Sequence, residues 1–443
     1  MPSVPRIAFA TLGCKTNQAE TIRLVSQLAW DLAVVPFESA ADIYVVNTCT
    51  VTHEADRRSR QLVRRAHRAN PDAAIVVAGC AANYAGQELT DLPGVRLVTP
   101  NDRKDTIASQ VAAWYGLQLS PHKLIGPGDR ATAGPGVALV DLVNTRAWLK
   151  ISEGCDNACA YCVIPRVRGA NRSRPARDLI GEARALVDAG YREIVLTGTN
   201  IGSYGQDGGS GLKSRVRGAL RGSTLAPLVG RLVDSAPARW RIGSIEPLEF
   251  PEDLVDVFAD DRVCPHVHLC LQSGSDRVLA RMRRRYNTAR FAALVDRFRA
   301  VRPDLSITTD IIVGFPGETE ADFEQTLAFL RRIGFSGVHL FPYSDREGTA
   351  ATALDGHIGP AIIAERMERA QGVAHDLQAA FYRSWLGQTV DALVERVGPD
   401  FATATTPHYL KLRLAPERLS PNTRVRALVE GVGDGRAEAR RVD

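Results

Sequence analysis

No stretch of this 443-residue chain approaches the ~18–20 consecutive apolar residues needed to cross a bilayer, so no membrane partner is expected. The N-terminus, MPSVPRIAFATLGCK, lacks a charged leader followed by an apolar core and a small-residue cleavage site. Its apolar stretch reads as a first strand, and a cytoplasmic location is expected. A strong net charge is lacking too: the formal +5 is modest for this length and does not by itself identify a polyanionic partner. Nor is there the disulfide framework of a small secreted domain. The chain has eight cysteines, three of them packed into CDNACAYC, which favours metal binding. What is present is globular composition, 45% hydrophobic and 24% charged, in a chain long enough for two or three domains.

The first part of the chain alternates short apolar runs with helical stretches, the pattern of parallel strands joined by crossover helices. Ile7 to Gly13 leads to Cys14, Ile43 to Thr48 to Cys49, and Ala74 to Gly79 to Cys80. Carboxyl ends of parallel strands share one sheet edge, where ligands bind, so three thiols far apart in sequence can converge there. Three thiolates without a fourth ligand fit a 4Fe-4S cluster with one open iron, whereas a structural zinc wants four ligands. Each cysteine taken alone is equally well a buried core residue. Between the second and third, Arg57, Arg60, Arg64 and Arg68 recur at three- and four-residue spacing, a phosphate-binding ridge or a solvated helix face.

A second alternation begins near residue 141, with strand-like runs at 147–152, 193–198, 240–245, 266–272, 306–313 and 337–343. Six strand-helix units make a partial (βα)6 barrel, with chemistry expected at the carboxyl ends of the strands. The first run opens into Cys155, Cys159 and Cys162, which can hold three irons of a cubane and leave the fourth free. Zinc sites more often pair two C-x2-C units or add histidines, and the next histidines downstream are His266 and His268. Cys264 and Cys270 flank that strand, and burial in the barrel wall accounts for them more simply than a second metal.

Cys-x3-Cys-x2-Cys with Tyr161 before the last cysteine resembles the radical S-adenosylmethionine (SAM) signature. Val163-Ile164-Pro165 through Arg174, LTGTNIGSYG (196–205), SIEP (244–247), LCLQSGSDRVLARMRRRY (269–286), DIIVGFPGET (310–319) and FPYSDREGT (341–349) are similar to the methylthiotransferase subgroup, a likeness running over residues 6–375. The resemblance implies SAM and two 4Fe-4S clusters as cofactors. Cys155, Cys159 and Cys162 would hold the SAM cluster, whose reduction cleaves SAM to a 5′-deoxyadenosyl radical. Cys14, Cys49 and Cys80 would hold an auxiliary cluster that handles sulfur. No side chain is expected to act as general acid or base. Tyr161, Gly198, Thr199, Glu246 and Gln272 are the candidate SAM contacts, at or near predicted strand ends; each is otherwise a turn or capping residue. GFPGET is not a phosphate loop, because it lacks the Gly-Lys-Ser/Thr ending.

TLGCKTNQAE resembles the branch acting on N6-threonylcarbamoyladenosine beside the anticodon, and NTCTVTHEADRRSRQ agrees. The isopentenyladenosine branch and the branch modifying an aspartate of a ribosomal protein are the alternatives. A non-catalytic iron-sulfur RNA-binding or electron-transfer protein is the alternative of another class. The expected partners are the tRNA anticodon stem-loop, a reductant protein such as flavodoxin or ferredoxin, and a sulfur source. Candidate RNA contacts are Arg57, Arg64, Arg168, Arg172, Arg174 and Arg284. Lys213, Arg215, Arg217 and Arg221 of a glycine-rich insertion, with Arg281, Arg283 and Arg285, add further basic character.

After residue 380 short strand-like runs at 389–397, 409–414 and 424–429 suggest a small C-terminal β-barrel, TRAM-like in position and size, with acids and bases nearly balanced. The expected domains are thus a flavodoxin-like parallel sheet (5–118), the partial barrel (141–375) and the small barrel (380–443), an α/β chain as a whole.

Overall fold

Short apolar runs closed by turn residues make five strands in the N-terminal part of the computed structural model, which describes residues 4–119, 124–127, 144–207, 209, 224–433 and 435–442. They are β1 (Arg6–Thr11), β2 (Ala33–Val34), β3 (Ile43–Thr48), β4 (Ala74–Gly79) and β5 (Val95–Thr99), all parallel in the order β2-β1-β3-β4-β5. Every residue of β3 and β4 is buried, as a strand covered on both faces requires. This is the flavodoxin-like order, and its switch point lies between β1 and β3. The crossover helix His53–Ala69 is capped by Thr52, whose side chain accepts from the Ala55 amide, and carries Glu54 and Asp56 in its first turn, His67 and Arg68 in its last.

The central part contains β6 (Ala147–Glu153), β7 (Arg172–Ser173), β8 (Glu193–Gly198), β9 (Arg239–Ile242), β10 (Ser244–Ile245), β11 (His266–Leu269), β12 (Ser306–Val313) and β13 (Gly337–Pro342). They form two sheets, β7-β6-β8-β9 and β10-β11-β12-β13. The expected strand 240–245 is divided: β9 pairs with β8, and two residues later β10 pairs with β11. Gly243 sits at the crossing, where an added Cβ would lie 2.5 Å from the Leu196 carbonyl oxygen. The partial barrel thus bends at a glycine. The short antiparallel β7, formed after the cluster loop, was not expected.

The helix Pro360–Arg383 links the central and C-terminal parts, so the boundary placed at 375–380 is corrected: it falls inside one continuous helix. Met367, Ala370 and Val373 pack on the central core, whereas Phe381 and Tyr382 pack on the C-terminal one. There β14 (Thr389–Val397), β15 (Ala402–Thr405), β16 (Lys411–Leu414), β17 (Arg424–Gly433) and β18 (Arg436–Val442) close into a barrel in the order β14-β15-β16-β18-β17. Three of these strands were expected. Among the described residues no helix is long and apolar enough to cross a membrane.

The small barrel docks on the amino ends of the central strands. Glu193, wholly buried at the start of β8, accepts from Arg239 (2.7 Å) and Arg241 (2.9 Å), and these arginines hold it below the usual carboxylate range. Arg239 also donates to the Thr405 carbonyl and Arg241 to those of Thr406 and Pro407. Glu193→Ala leaves the buried Arg241 guanidinium without its carboxylate and Arg239 with Asp391 alone at 3.3 Å, and a loss of about 3–5 kcal/mol in a denaturation experiment is the expected outcome. A loss below about 1 kcal/mol contradicts this reading of the interface.

Candidate cluster sites and the barrel lumen

The three N-terminal cysteines stand where their strands end. Cys14 directly precedes the helix Lys15–Leu28, Cys49 follows β3, and Cys80 begins the helix Cys80–Tyr84. Cys14 and Cys49 therefore flank the switch point of the sheet. Gly13, at φ +93°, allows the close approach: a Cβ there would lie 3.0 Å from the Cys49 sulfur. Ser59 fixes Cys49 by donating to its carbonyl and accepting from its amide. Burial pushes the Cys49 thiol up to about 11, with Cys80 and Cys14 adding to the effect, so the three groups sense one another.

Cys155, Cys159 and Cys162 share one loop that several distant segments clamp. The Cys155 amide donates to the Gly169 carbonyl (3.0 Å), Ala160 donates to Met282 (2.9 Å) and accepts from Ala351 (2.8 Å). Gly154, at φ +80°, has no room for a side chain, since a Cβ would sit 1.9 Å from the Ala170 carbonyl oxygen. Burial pushes the Cys162 thiol up to about 12, with Cys159 and Cys155 contributing. Such a thiol ionises near neutral pH only when a metal takes it.

Both triads fit iron-sulfur clusters by their donors. N–H groups point at the sulfurs, as cluster thiolates require: Asn101 at Cys80 (3.8 Å), the Asn157 amide at Cys155 (3.4 Å), Asn200 at Cys155 (3.8 Å) and Arg284 at Cys159 (3.3 Å). The triads are also neighbours. Cys80 packs in one apolar cluster with Val163, the residue after Cys162, and with Val167. Asn101 joins them again by donating to the Val167 carbonyl at 2.8 Å. Arg346, buried, ties the segment after β13 to the residue beyond Cys49 by donating to Thr50 Oγ1 (2.8 Å).

Several expected SAM contacts line the carboxyl end of the barrel. A Cβ on Gly198 would meet Ser152 Oγ at 2.6 Å, and the neighbouring Thr199 Oγ1 is buried without a hydrogen-bond partner. Glu246 accepts from Arg284 at 2.6 Å, and both line a cavity of about 330 Å³ that reaches Cys159. Tyr161 accepts from Arg284 at 3.4 Å and packs edge-on against Phe315. Gln272 holds a left-handed φ of +71°, fixed because its amide donates to the Asp310 carbonyl and its carbonyl accepts from Ile312. That conformation stores strain at the strand end.

The arginines divide into two groups. Arg57 and Arg64 are exposed on the helix His53–Ala69, with Arg57 paired to Glu54. Arg172 and Arg174 line a cavity of about 450 Å³ between the helix Lys15–Leu28 and the edge of β6, where Arg174 pairs with Glu182. Two expectations are corrected. Arg168 is buried and bonded to Glu20 (3.0 Å), Glu153 (2.9 Å) and Asn17, so it braces the two domains rather than meeting RNA. Arg284 is likewise buried, turned inward on Glu246 and Cys159, while Arg283 and Arg285 beside it are exposed. Lys213, Arg215, Arg217 and Arg221 lie outside the described residues.

The lumen holds what spacing alone did not bring together. His268 on β11, Asp310 on β12 and His339 on β13 converge, with His268 Nε2 3.2 Å and His339 Nδ1 3.1 Å from Asp310. Lys15, the residue after Cys14, lies over the Trp148 ring of β6 and within electrostatic reach of Asp310. A carboxylate within the strand SITTDIIV of β12 was the signal that could have marked Asp310 as lumen-facing. Cys264 takes no part, being buried near Arg241, and His266 stacks on Tyr409 of the small barrel at 4.7 Å.

Comparison with known proteins places the chain as follows. Residues 149–330 match the Radical SAM superfamily and residues 6–99 the uncharacterized protein family UPF0004. The threonylcarbamoyladenosine tRNA methylthiotransferase MtaB of Bacillus subtilis is 36% identical over 88% of this chain and 84% of its own length. That of Thermotoga maritima is 35% identical over 88% and 86%. The tRNA-2-methylthio-N(6)-dimethylallyladenosine synthase of a Parafrankia species is 37% identical over 87% and 76%. Among solved structures, the radical SAM methyltransferase TsrM of Kitasatospora setae, with cobalamin and a [4Fe-4S] cluster bound, aligns over 77% of this chain and 75% of its own at a TM-score of 0.53 and 14% identity, a likeness of fold.

Proposed function

Because the chain belongs to the tRNA methylthiotransferase family of radical SAM enzymes, we propose that it methylthiolates C2 of N6-threonylcarbamoyladenosine beside the tRNA anticodon. The observation that carries this reading is the pair of cysteine triads, one at the carboxyl edge of each parallel sheet, joined through Cys80, Val163 and Asn101. Bound to Cys155, Cys159 and Cys162, a 4Fe-4S cluster with SAM would supply a hydrogen-abstracting radical, and a second cluster on Cys14, Cys49 and Cys80 would supply sulfur. The chain's own part is to hold and shield. Arg284 and Asn200 aim N–H groups at the thiolates, Glu246 offers an acceptor at the cavity, and the Glu20–Arg168–Glu153 contacts lock one domain to the other.

Exposed Arg172, Arg283 and Arg285 line the two cavities, where they can meet the RNA backbone. The reaction needs a reductant, for which flavodoxin or ferredoxin serves, and a sulfur source, both met in the cytoplasm with the tRNA. The dimethylallyladenosine relative, 37% identical, supports isopentenyladenosine as the second reading. Anaerobically reconstituted protein, given SAM, dithionite and anticodon stem-loops bearing either nucleoside, decides between them. Methylthiolation of the threonylcarbamoyl stem-loop alone is expected; methylthiolation of the isopentenyl stem-loop alone overturns the assignment.

A further inference from the structure

Lys15 is a partly buried cation for which the described residues provide no ion pair and no hydrogen bond. Its ammonium lies 5.6 Å from the centroid of the Trp148 ring. The other cations at this end of the lumen are matched: Arg146 with Glu395 (2.9 Å), Arg241 with Glu193 (2.9 Å) and Lys411 with Glu395 (3.2 Å). Asp310, whose attraction reaches Lys15, is shared between His268 at 3.2 Å and His339 at 3.1 Å. A cation enclosed without a carboxylate destabilises the fold unless a ligand brings the missing anion. A second feature marks a ligand position: beside Lys15, Trp148 Nε1 is buried and has no hydrogen-bond partner among the described residues. His268, 7% exposed, has its Nδ1 bonded to Thr308 Oγ1 at 2.9 Å and its Nε2 held 3.2 Å from Asp310.

Position in the chain ties this space to the reaction. Lys15 follows Cys14 directly, so whatever it binds lies one residue from a thiolate assigned to sulfur delivery. In adenine, C2 and the N6-bearing carbon flank N1 on one edge, so an N6 substituent extends beside the carbon to be modified. On the functional reading above, we infer that the lumen between Lys15, Trp148 and His268 is a carboxylate-binding subsite, and that Lys15 selects the threonylcarbamoyl group by pairing with its carboxylate. The apolar isopentenyl group offers no such anion.

The test uses the reconstituted holoprotein and two anticodon stem-loops, one carrying threonylcarbamoyladenosine and one the same nucleoside with its carboxylate converted to the carboxamide. Wild type is expected to bind the acid about 10- to 100-fold more tightly than the amide, the range of a charge-assisted hydrogen bond. Lys15→Met should bind both as wild type binds the amide, and Lys15→Arg should recover most of the preference. Iron content and the visible spectrum check that Lys15→Met keeps both clusters. A Met variant that still prefers the acid as wild type does overturns the subsite alone. Should that variant lose iron, wild type decides: equal affinity for acid and amide overturns the proposal. Methylthiolation of the isopentenyl stem-loop instead of the threonylcarbamoyl one is a separate result, and it overturns the substrate reading together with the subsite.

Discussion

Cys49→Ala is expected to leave reductive cleavage of SAM running while methylthio transfer becomes undetectable. Cys49 belongs to the triad of the N-terminal sheet, whereas Cys155, Cys159 and Cys162 sit on the loop after β6, so one triad can be broken without touching the ligands of the other. The substitution is also gentle on the fold. Ser59 holds position 49 through backbone atoms, which alanine keeps, and the change removes a single sulfur atom, so the cavity left is small. Chromatography of 5′-deoxyadenosine and mass spectrometry of the nucleoside read the two outcomes separately. Loss of both products contradicts the division of labour between the triads; loss of neither removes Cys49 from the sulfur-handling site.

Gly154→Ala is expected to do the reverse with a change that removes no ligand. An added Cβ would press to 1.9 Å from the Ala170 carbonyl oxygen and 2.6 Å from that of Gly169, in a backbone conformation with φ +80° that side chains rarely adopt. Gly169 is also the acceptor for the Cys155 amide, so the clash falls on the bond that sets the first ligand in place. The loop cannot close, and the anaerobically reconstituted variant should hold about half of the wild-type iron, keep the N-terminal site and cleave no SAM. Full iron with normal cleavage would show that the loop does not depend on this clamp.

The parts of this account that were legible in the sequence are those in which chemistry is local. Cys155, Cys159 and Cys162 announce themselves by spacing on one loop, and Cys14, Cys49 and Cys80 by ending three apolar runs in turn. The six expected central runs were readable as apolar or alternating stretches of strand length between turn residues. What needed the structure was register. His268, Asp310 and His339 lie on three separate strands, and only the pairing of β11 with β12 and of β12 with β13 sets His268 opposite Thr308, two residues from Asp310, and Asp310 opposite His339. The same holds for orientation within RMRRRY: Arg283 and Arg285 face solvent while Arg284 turns inward, although the sequence presents them as one basic run. Arg168 misled for a related reason, because its carboxylate Glu20 comes from another domain. In the small barrel, β15 (ATAT) is built of small and hydroxyl residues and β18 (RAEARRV) largely of charged ones, so neither carried the apolar character that marked the other three strands.

The most direct test of the central claim is mass spectrometry of tRNA nucleosides from a strain lacking the gene, beside the parent and strains complemented with wild type or with Cys159→Ala. The account predicts that 2-methylthio-N6-threonylcarbamoyladenosine disappears and its unmethylthiolated precursor accumulates, with wild type restoring the product and Cys159→Ala failing to do so. Unchanged methylthio-threonylcarbamoyladenosine in the deletion strain, or its full restoration by Cys159→Ala, contradicts it.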